Sequence, residues 1–238
     1  MGLLNSLGLT GNCENCSRKS DGFFCNLSRE TLRALESMRF TNIYPQGAVL
    51  FAEQDAPQGV FVICKGRAKL SMTSSEGKSV ILRIVGPGEA LGLHAVVSGQ
   101  PYQASAETVE PCQVAFIRRD DFLRFLRQHP EASLNAAQQL SENYQVACEQ
   151  VRSLGLVHSA TGKLAGFLLT CATKGQPTRQ GTRMLLTLTH EEIGQMIGLS
   201  RETVTRTMGD FRHRQLVSVR GSAVFIPDKG ALEHYAEL

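Results

Sequence analysis

Apolar positions along this chain follow two regimes that meet near residue 130. From Asn26 to about Arg119 they come in short β-rich runs: Ala48 to Phe51, Val60 to Cys64, Ala68 to Met72, Val80 to Val85 and Gln113 to Ile117. Gly47, Gly59, Gly66, Gly77, Gly86, Gly88, Gly92 and Gly99 punctuate them, which is the rhythm of an antiparallel barrel or jelly roll. A short helix is expected ahead of the first run, because Ser28-x-x-Thr31 follows Leu27 and Leu32, Leu35 and Met38 recur at helical spacing.

Beyond Pro130 the period lengthens. Ala137, Leu140, Tyr144, Ala147, Val151 and Leu154 recur at alternating steps of three and four, a heptad seam. Gln138, Glu142, Asn143 and Glu149 flank it and leave a stripe about as wide as one partner helix covers. The pattern predicts a long helix that dimerises in parallel with a second copy; packing of the stripe on the chain's own barrel is the alternative. Gly155 and the stretch from His158 to Gly162 read as a hinge. A second domain follows, with a helix from Lys163 to about Thr173, a Gly/Pro/Thr loop through Gly181 and a strand over Met184 to Leu188.

The most informative segment comes next. Thr189 followed by Glu192 is a capping-box pair, and Ile193 with Ile197 gives the helix a buried face. Gly198 supplies a turn, Leu199 fills the gap, and Ser200 caps a second helix expected to run from Arg201 to about His213. Its buried side is Val204, Met208 and Phe211, which leaves Arg201, Glu202, Thr205 and Arg206 together on the other side. Those types suit base edges: Arg takes guanine O6 and N7, Glu accepts from cytosine N4, and Thr touches a base edge or a thymine methyl. Leu216 to Val219 and Ala223 to Ile226 flank Arg220-Gly221-Ser222 as a hairpin wing that can lie along a DNA backbone. The segment therefore predicts a winged helix-turn-helix, with Ser200, Arg201, Glu202, Thr205 and Arg206 at double-stranded DNA.

Composition agrees without deciding the matter. The chain has 238 residues, 42% of them hydrophobic, enough for two domains, and a formal net charge of +3. The excess is local: residues 159–238 hold 10 Lys/Arg against 7 Asp/Glu, while residues 1–158 hold 15 of each. Every basic residue from Arg179 to Arg220 is Arg, which suits bidentate contact to phosphates and guanine. No window is apolar enough to span a membrane and the start lacks a basic leader, so a cytoplasmic protein is expected. No nucleophile, phosphate loop or C-x-x-C beside a βαβ unit points to an enzyme. The expected fold is α+β: a Cys-rich segment over 1–26, an antiparallel β-roll of jelly-roll or cupin type over 27–129, a dimerisation helix over 130–158 and a winged helix-turn-helix domain over 159–238.

Taken together these parts closely resemble the CRP/FNR family of bacterial transcription regulators. The run from Ile193 through Gly198-Leu199-Ser200-Arg201-Glu202-Thr203-Val204-Thr205-Arg206 carries the resemblance most specifically, and Gly86-Pro87-Gly88-Glu89 matches the roll. The resemblance implies a homodimer on a palindromic operator, TGTGA-like or TTGAT-like in each half, with Glu202 and Arg206 on bases and RNA polymerase as a partner. Members that sense cyclic nucleotides hold the phosphate with an Arg-Ser pair. Here the corresponding stretch is Pro101-Tyr102-Gln103-Ala104, so an anionic phosphate lacks its counter-charge. Seven cysteines point elsewhere. Cys13, Cys16, Cys25 and Cys112 resemble the FNR-type oxygen sensor, whose three N-terminal thiolates and one from the roll hold a 4Fe-4S cluster. The gap between Cys16 and Cys25 is longer than that pattern usually has. Structural zinc on the same four thiols, a thiol switch at Cys13 and Cys16, and a small ligand in the roll remain the alternatives. Cys64, Cys148 and Cys171 read as buried structural residues.

Overall fold

The computed structural model describes residues 22, 24–173 and 175–236. By backbone contacts the chain divides into two units, Met1–Gln145 and Val146–Leu238. Among the described residues no helix is long and apolar enough to cross a membrane.

The first unit is an antiparallel roll with helices on one side. It runs α1 (Arg29–Met38), β1 (Arg39–Tyr44), β2 (Val49–Phe51), β3 (Gly59–Lys65), β4 (Ala68–Thr73), β5 (Ser79–Val85), β6 (Ala90–Leu91), α2 (Leu93–Ser98), β7 (Ser105–Thr108), β8 (Cys112–Arg118), α3 (Arg119–Gln128) and the start of α4 (Pro130–Gly155). Two four-stranded sheets, ordered β1-β8-β3-β6 and β2-β7-β4-β5, face each other. Strand β3 explains the layering. Its Phe61 and Ile63 enter the cluster between the sheets, while Val60 and Val62 enter a second cluster with Leu32, Leu35, Phe122, Phe125 and Ala136 of the helices. A strand covered on both faces reads as an unbroken apolar run, which is why β3 and β8 were legible. β1 was not, because its middle is exposed and its sequence mixes polar and apolar types. The pattern also missed β6, β7, α2 and α3. Helix α3 is short, opens on Asp120 and Asp121 at its electropositive end, and is held by the burial of Phe122 and Phe125.

Helix α1 begins where expected, with Ser28 accepting from the Thr31 amide. That cap is tied to α4: the Glu131 carboxylate accepts from the Ser28 backbone N–H at 3.1 Å and from the Thr31 hydroxyl. The Ser28 hydroxyl donates to the same carboxylate, and it, followed by the Thr31 hydroxyl and the Ser28 amide, holds the Glu131 carboxyl below the usual carboxylate range. Ahead of the helix, Gly22 packs backbone on backbone against Gly88, where an added Cβ would lie 2.2 Å from the Gly88 carbonyl oxygen.

The second unit holds the end of α4, then α5 (Ala160–Thr173), β9 (Gln176–Thr178), β10 (Gly181–Leu185), α6 (His190–Ile197), α7 (Arg201–His213), β11 (Ser218–Arg220), β12 (Ala223–Ile226) and α8 (Lys229–Ala236). Leu164, Leu168, Ile193, Ile197, Val204, Phe211, Val224 and Leu232 share its core. The strand expected over Met184 to Leu188 starts and stops earlier, and β9 forms inside the expected loop. A turn closed by Thr178 Oγ1 on the Gly181 carbonyl brings β9 and β10 together.

Candidate nucleic-acid interface

The turn-helix geometry is built by backbone devices. Thr189 and Glu192 form the reciprocal capping box at the start of α6. Gly198 ends that helix in the left-handed region at φ 69°, a conformation that costs glycine nothing. Gly194 was not singled out by pattern, yet it permits the sharp approach: a Cβ there would sit 2.5 Å from the Leu199 carbonyl oxygen. Ser200 accepts from the Thr203 amide at 3.2 Å and caps α7.

Helix α7 buries Val204, Thr207, Met208 and Phe211 and leaves Arg201, Glu202, Thr205 and Arg206 exposed. The five positions expected at DNA thus occupy the cap and first two turns, with the positive end of the helix among them. The Glu202 carboxyl is held below its ordinary range, by its own backbone amide first and then by the Ser200 hydroxyl. A carboxylate held in this way is a hydrogen-bond acceptor, the chemistry expected of a residue that meets a base amino group. One neighbour was invisible in the sequence: His190 of α6 places Nδ1 2.8 Å from Thr205 Oγ1. Only the crossing of α6 and α7 makes that pair. The wing forms from β11 and β12, with Gly221 at φ 58° in the turn. It begins at Ser218, two residues later than the apolar run suggests.

On α4, Ala132, Ala136 and Gln139 face the roll. Of the heptad positions, Ala137, Tyr144, Ala147 and Val151 are exposed, with Tyr144 at 72% and Val151 at 71%, while Leu140 and Leu154 are half-buried and Leu140 packs against the roll's helix-side cluster. Gln139 makes a two-point contact, donating to the Ala90 carbonyl at 2.6 Å and accepting from the Ala90 amide at 3.2 Å. A turn further on, Asn143 accepts from Arg83, which also pairs with Glu89. Burial pulls the Arg83 pKa down, against the nearby charge of Glu142.

The interior between the sheets is filled by side chains. Tyr102 is 2% exposed and stacks on Phe51 with ring centroids 4.0 Å apart. Its hydroxyl donates to the Gly59 carbonyl at 2.7 Å and accepts from the Gly59 amide at 3.2 Å. Burial raises its pKa, the Gly59 hydrogen bond opposing. Gly92 lies under the ring, where a Cβ would come within 2.7 Å of it.

Of the four thiols expected to share a metal, Cys13 and Cys16 lie outside the described residues. Cys112 is fully buried in the inter-sheet cluster and its thiol donates toward the carbonyls of Arg67 at 3.1 Å and Glu110 at 3.2 Å. Burial first, and the Glu110 carboxylate second, push it up to about 11. Cys25 sits in a turn whose neighbours Phe24 and Leu27 belong to the other cluster. Among the described residues no three His, Cys, Asp or Glu side chains are grouped to hold a metal ion. Cys64 and Cys171 are half-buried, but Cys148 is exposed rather than buried, because it stands on the uncovered side of α4.

A winged helix-turn-helix behind a roll and a long helix defines a DNA-binding transcription regulator. Residues 41–129 match the cyclic nucleotide-binding domain and residues 162–235 the Crp-like helix-turn-helix domain. The chain is 27% identical over 217 residues to the CRP-like cAMP-activated global transcriptional regulator of Mycobacterium tuberculosis, covering 90% of this chain and 96% of that one. It is 28% identical over 184 residues to the cAMP-activated global transcriptional regulator CRP of Salmonella typhimurium, covering 77% and 87%. The structure of a CooA mutant from Carboxydothermus hydrogenoformans superposes with a TM-score of 0.77, with 21% identity, covering 89% of this chain and 93% of the other. This chain belongs to the CRP/FNR family of transcription regulators. The relatives just described by sequence are cAMP-activated regulators and not iron-sulfur sensors, so these comparisons do not support the FNR-type likeness expected from the cysteines.

Proposed function

We propose that this protein is a homodimeric regulator that reads a palindromic operator with Arg201, Glu202, Thr205 and Arg206, and that its signal enters through the N-terminal cysteines rather than through cAMP. The exposed quartet on the first two turns of α7, opposite buried Val204, Met208 and Phe211, carries the DNA reading. Exposed Ala137, Tyr144, Ala147 and Val151 of the heptad on α4 support the dimer, since Ala132, Ala136 and Gln139 are the residues it buries against the roll.

A cyclic nucleotide does not fit this roll. Its phosphate needs a counter-charge, and the matching stretch supplies Tyr102, whose hydroxyl is already committed to Gly59 and whose ring fills the interior. A 4Fe-4S cluster or zinc shared by Cys13, Cys16, Cys25 and Cys112 does not fit Cys112 as it stands, because its side chain is buried in the cluster between the sheets, donates to the carbonyls of Arg67 and Glu110, and has no grouped His, Cys, Asp or Glu partners among the described residues. The redox signal is therefore assigned to Cys13, Cys16 and Cys25.

Binding to a duplex selected from a randomised palindromic pool, before and after oxidant and with cAMP, tests the reading. We expect one dimer per palindrome, an affinity that changes with oxidant, loss of that response in Cys13→Ser, and indifference to cAMP. Tighter binding with cAMP would overturn the cysteine assignment. Iron, sulfide and zinc content after anaerobic purification separates a cluster, zinc and a bare thiol pair.

A further inference from the structure

The contact between His190 and Thr205 has a chemical consequence for what α7 can read. The Thr205 hydroxyl donates to the Arg201 carbonyl at 2.9 Å. A hydroxyl has one proton, so the 2.8 Å contact runs the other way: His190 Nδ1–H donates and Thr205 Oγ1 accepts. The donor and one lone pair of Thr205 are thus spent inside the protein. The hydroxyl can no longer donate to a base and keeps a single lone pair, whereas the methyl group stays fully available, and the base feature that complements a methyl in the major groove is the C5-methyl of thymine.

We propose that His190 is a positioning residue for base readout: by holding the Thr205 hydroxyl, it makes Thr205 a reader of a thymine methyl rather than of a hydrogen-bonding base edge. The inference rests on the reading of α7 as the recognition helix. Its geometry is local, since both residues are anchored by capped helix starts: Thr189 precedes His190, and Ser200 stands one turn before Thr205.

Deoxyuridine differs from thymidine only by that methyl, so it isolates the contact. In the selected operator each thymidine of a half-site is replaced singly by deoxyuridine and binding is measured. The wild type should lose about four-fold at one position, the worth of one buried methyl group. Thr205→Ser, which keeps the hydroxyl and removes the methyl, should bind both duplexes equally. His190→Ala should shrink the discrimination below about two-fold, while His190→Asn, whose amide N–H takes the place of Nδ1–H, should retain it. Because each result is a ratio for one protein on two duplexes, a partly unfolded variant does not mimic it. A wild type indifferent to deoxyuridine everywhere, or a His190→Ala protein with the full four-fold ratio, would overturn the inference. Equal weakening on all DNA by His190→Ala with the ratio intact would also overturn it and reduce His190 to a phosphate contact. A wild type with no sequence preference at all would instead sink the recognition-helix reading.

Discussion

The two units put their polar chemistry in opposite places. In the C-terminal unit, the groups that can act on a partner stand outside: Arg201, Glu202, Thr205 and Arg206 are exposed on a helix whose other side is locked by Val204, Met208 and Phe211. In the roll, the distinctive groups are inside and already satisfied. Tyr102 is bonded to Gly59, Cys112 to Arg67 and Glu110, and Gln139 to Ala90. An exposed, unspent group is available for recognition, whereas a buried, satisfied one holds shape. The difference teaches that in this chain the conspicuous polar groups of the roll serve its own packing, while those of α7 are left to meet a partner.

Mutations can break this contrast, and the largest effect belongs to the scaffold of the reader. Phe211→Ala, which empties a site 1% exposed in the C-terminal core, should cost about 3–5 kcal/mol in denaturant unfolding. Next come Glu202→Ala and Arg206→Ala, each expected to lose about 1–3 kcal/mol on the selected operator with little change in unfolding. A uniform loss on every DNA sequence would show that they touch phosphate only. On the roll side, Tyr102→Phe should show the reverse pattern. Stripping the hydroxyl leaves both Gly59 groups unpaired in the interior and should cost about 1–3 kcal/mol of stability without altering operator preference. Ser200→Ala removes the α7 cap and should cost about 1 kcal/mol.

The smallest effect is a pH dependence. The Cys112 thiol is raised from near 9 to about 11, so the unfolded chain ionises first as pH rises. The contribution is fully present below pH 9 and lost as pH climbs through about 11. Unfolding free energy of the wild type should fall more steeply across that window than that of Cys112→Ala. In the native protein a thiol reagent should reach exposed Cys148 before Cys112. Rapid labelling of Cys112 would show that the roll opens readily and would undo the contrast.

Legibility followed the same division. The reader was visible because caps, turn glycine, buried face and exposed quartet are consecutive in sequence, each within one helical turn of the next. Strands β3 and β8 were visible because both their faces are covered. What escaped depends on pairs distant along the chain. His190 meets Thr205 across a helix crossing, Gln139 reaches Ala90, and Glu131 reaches back to the Ser28 cap. The heptad pattern marked Ala137, Tyr144, Ala147 and Val151, which are exposed, but it also took in Leu140, which packs on the roll, and gave no sign that Gln139 would fasten the helix. The grouping of four cysteines rests on a resemblance in their positions along the chain, and position along the chain does not say which face of β8 the Cys112 thiol takes.

That glutamine has a consequence for how copies of the protein can meet. β6 is an edge strand, and an edge with free amide and carbonyl groups is a template on which a stray strand from another molecule can add. The Gln139 side chain imitates such a strand, offering its own amide to both groups of Ala90, so α4 caps the sheet there as well as packing beside it. Pairing by sheet extension is blocked at that residue, and the helix that supplies the cap is also the one whose uncovered stripe invites an orderly partner.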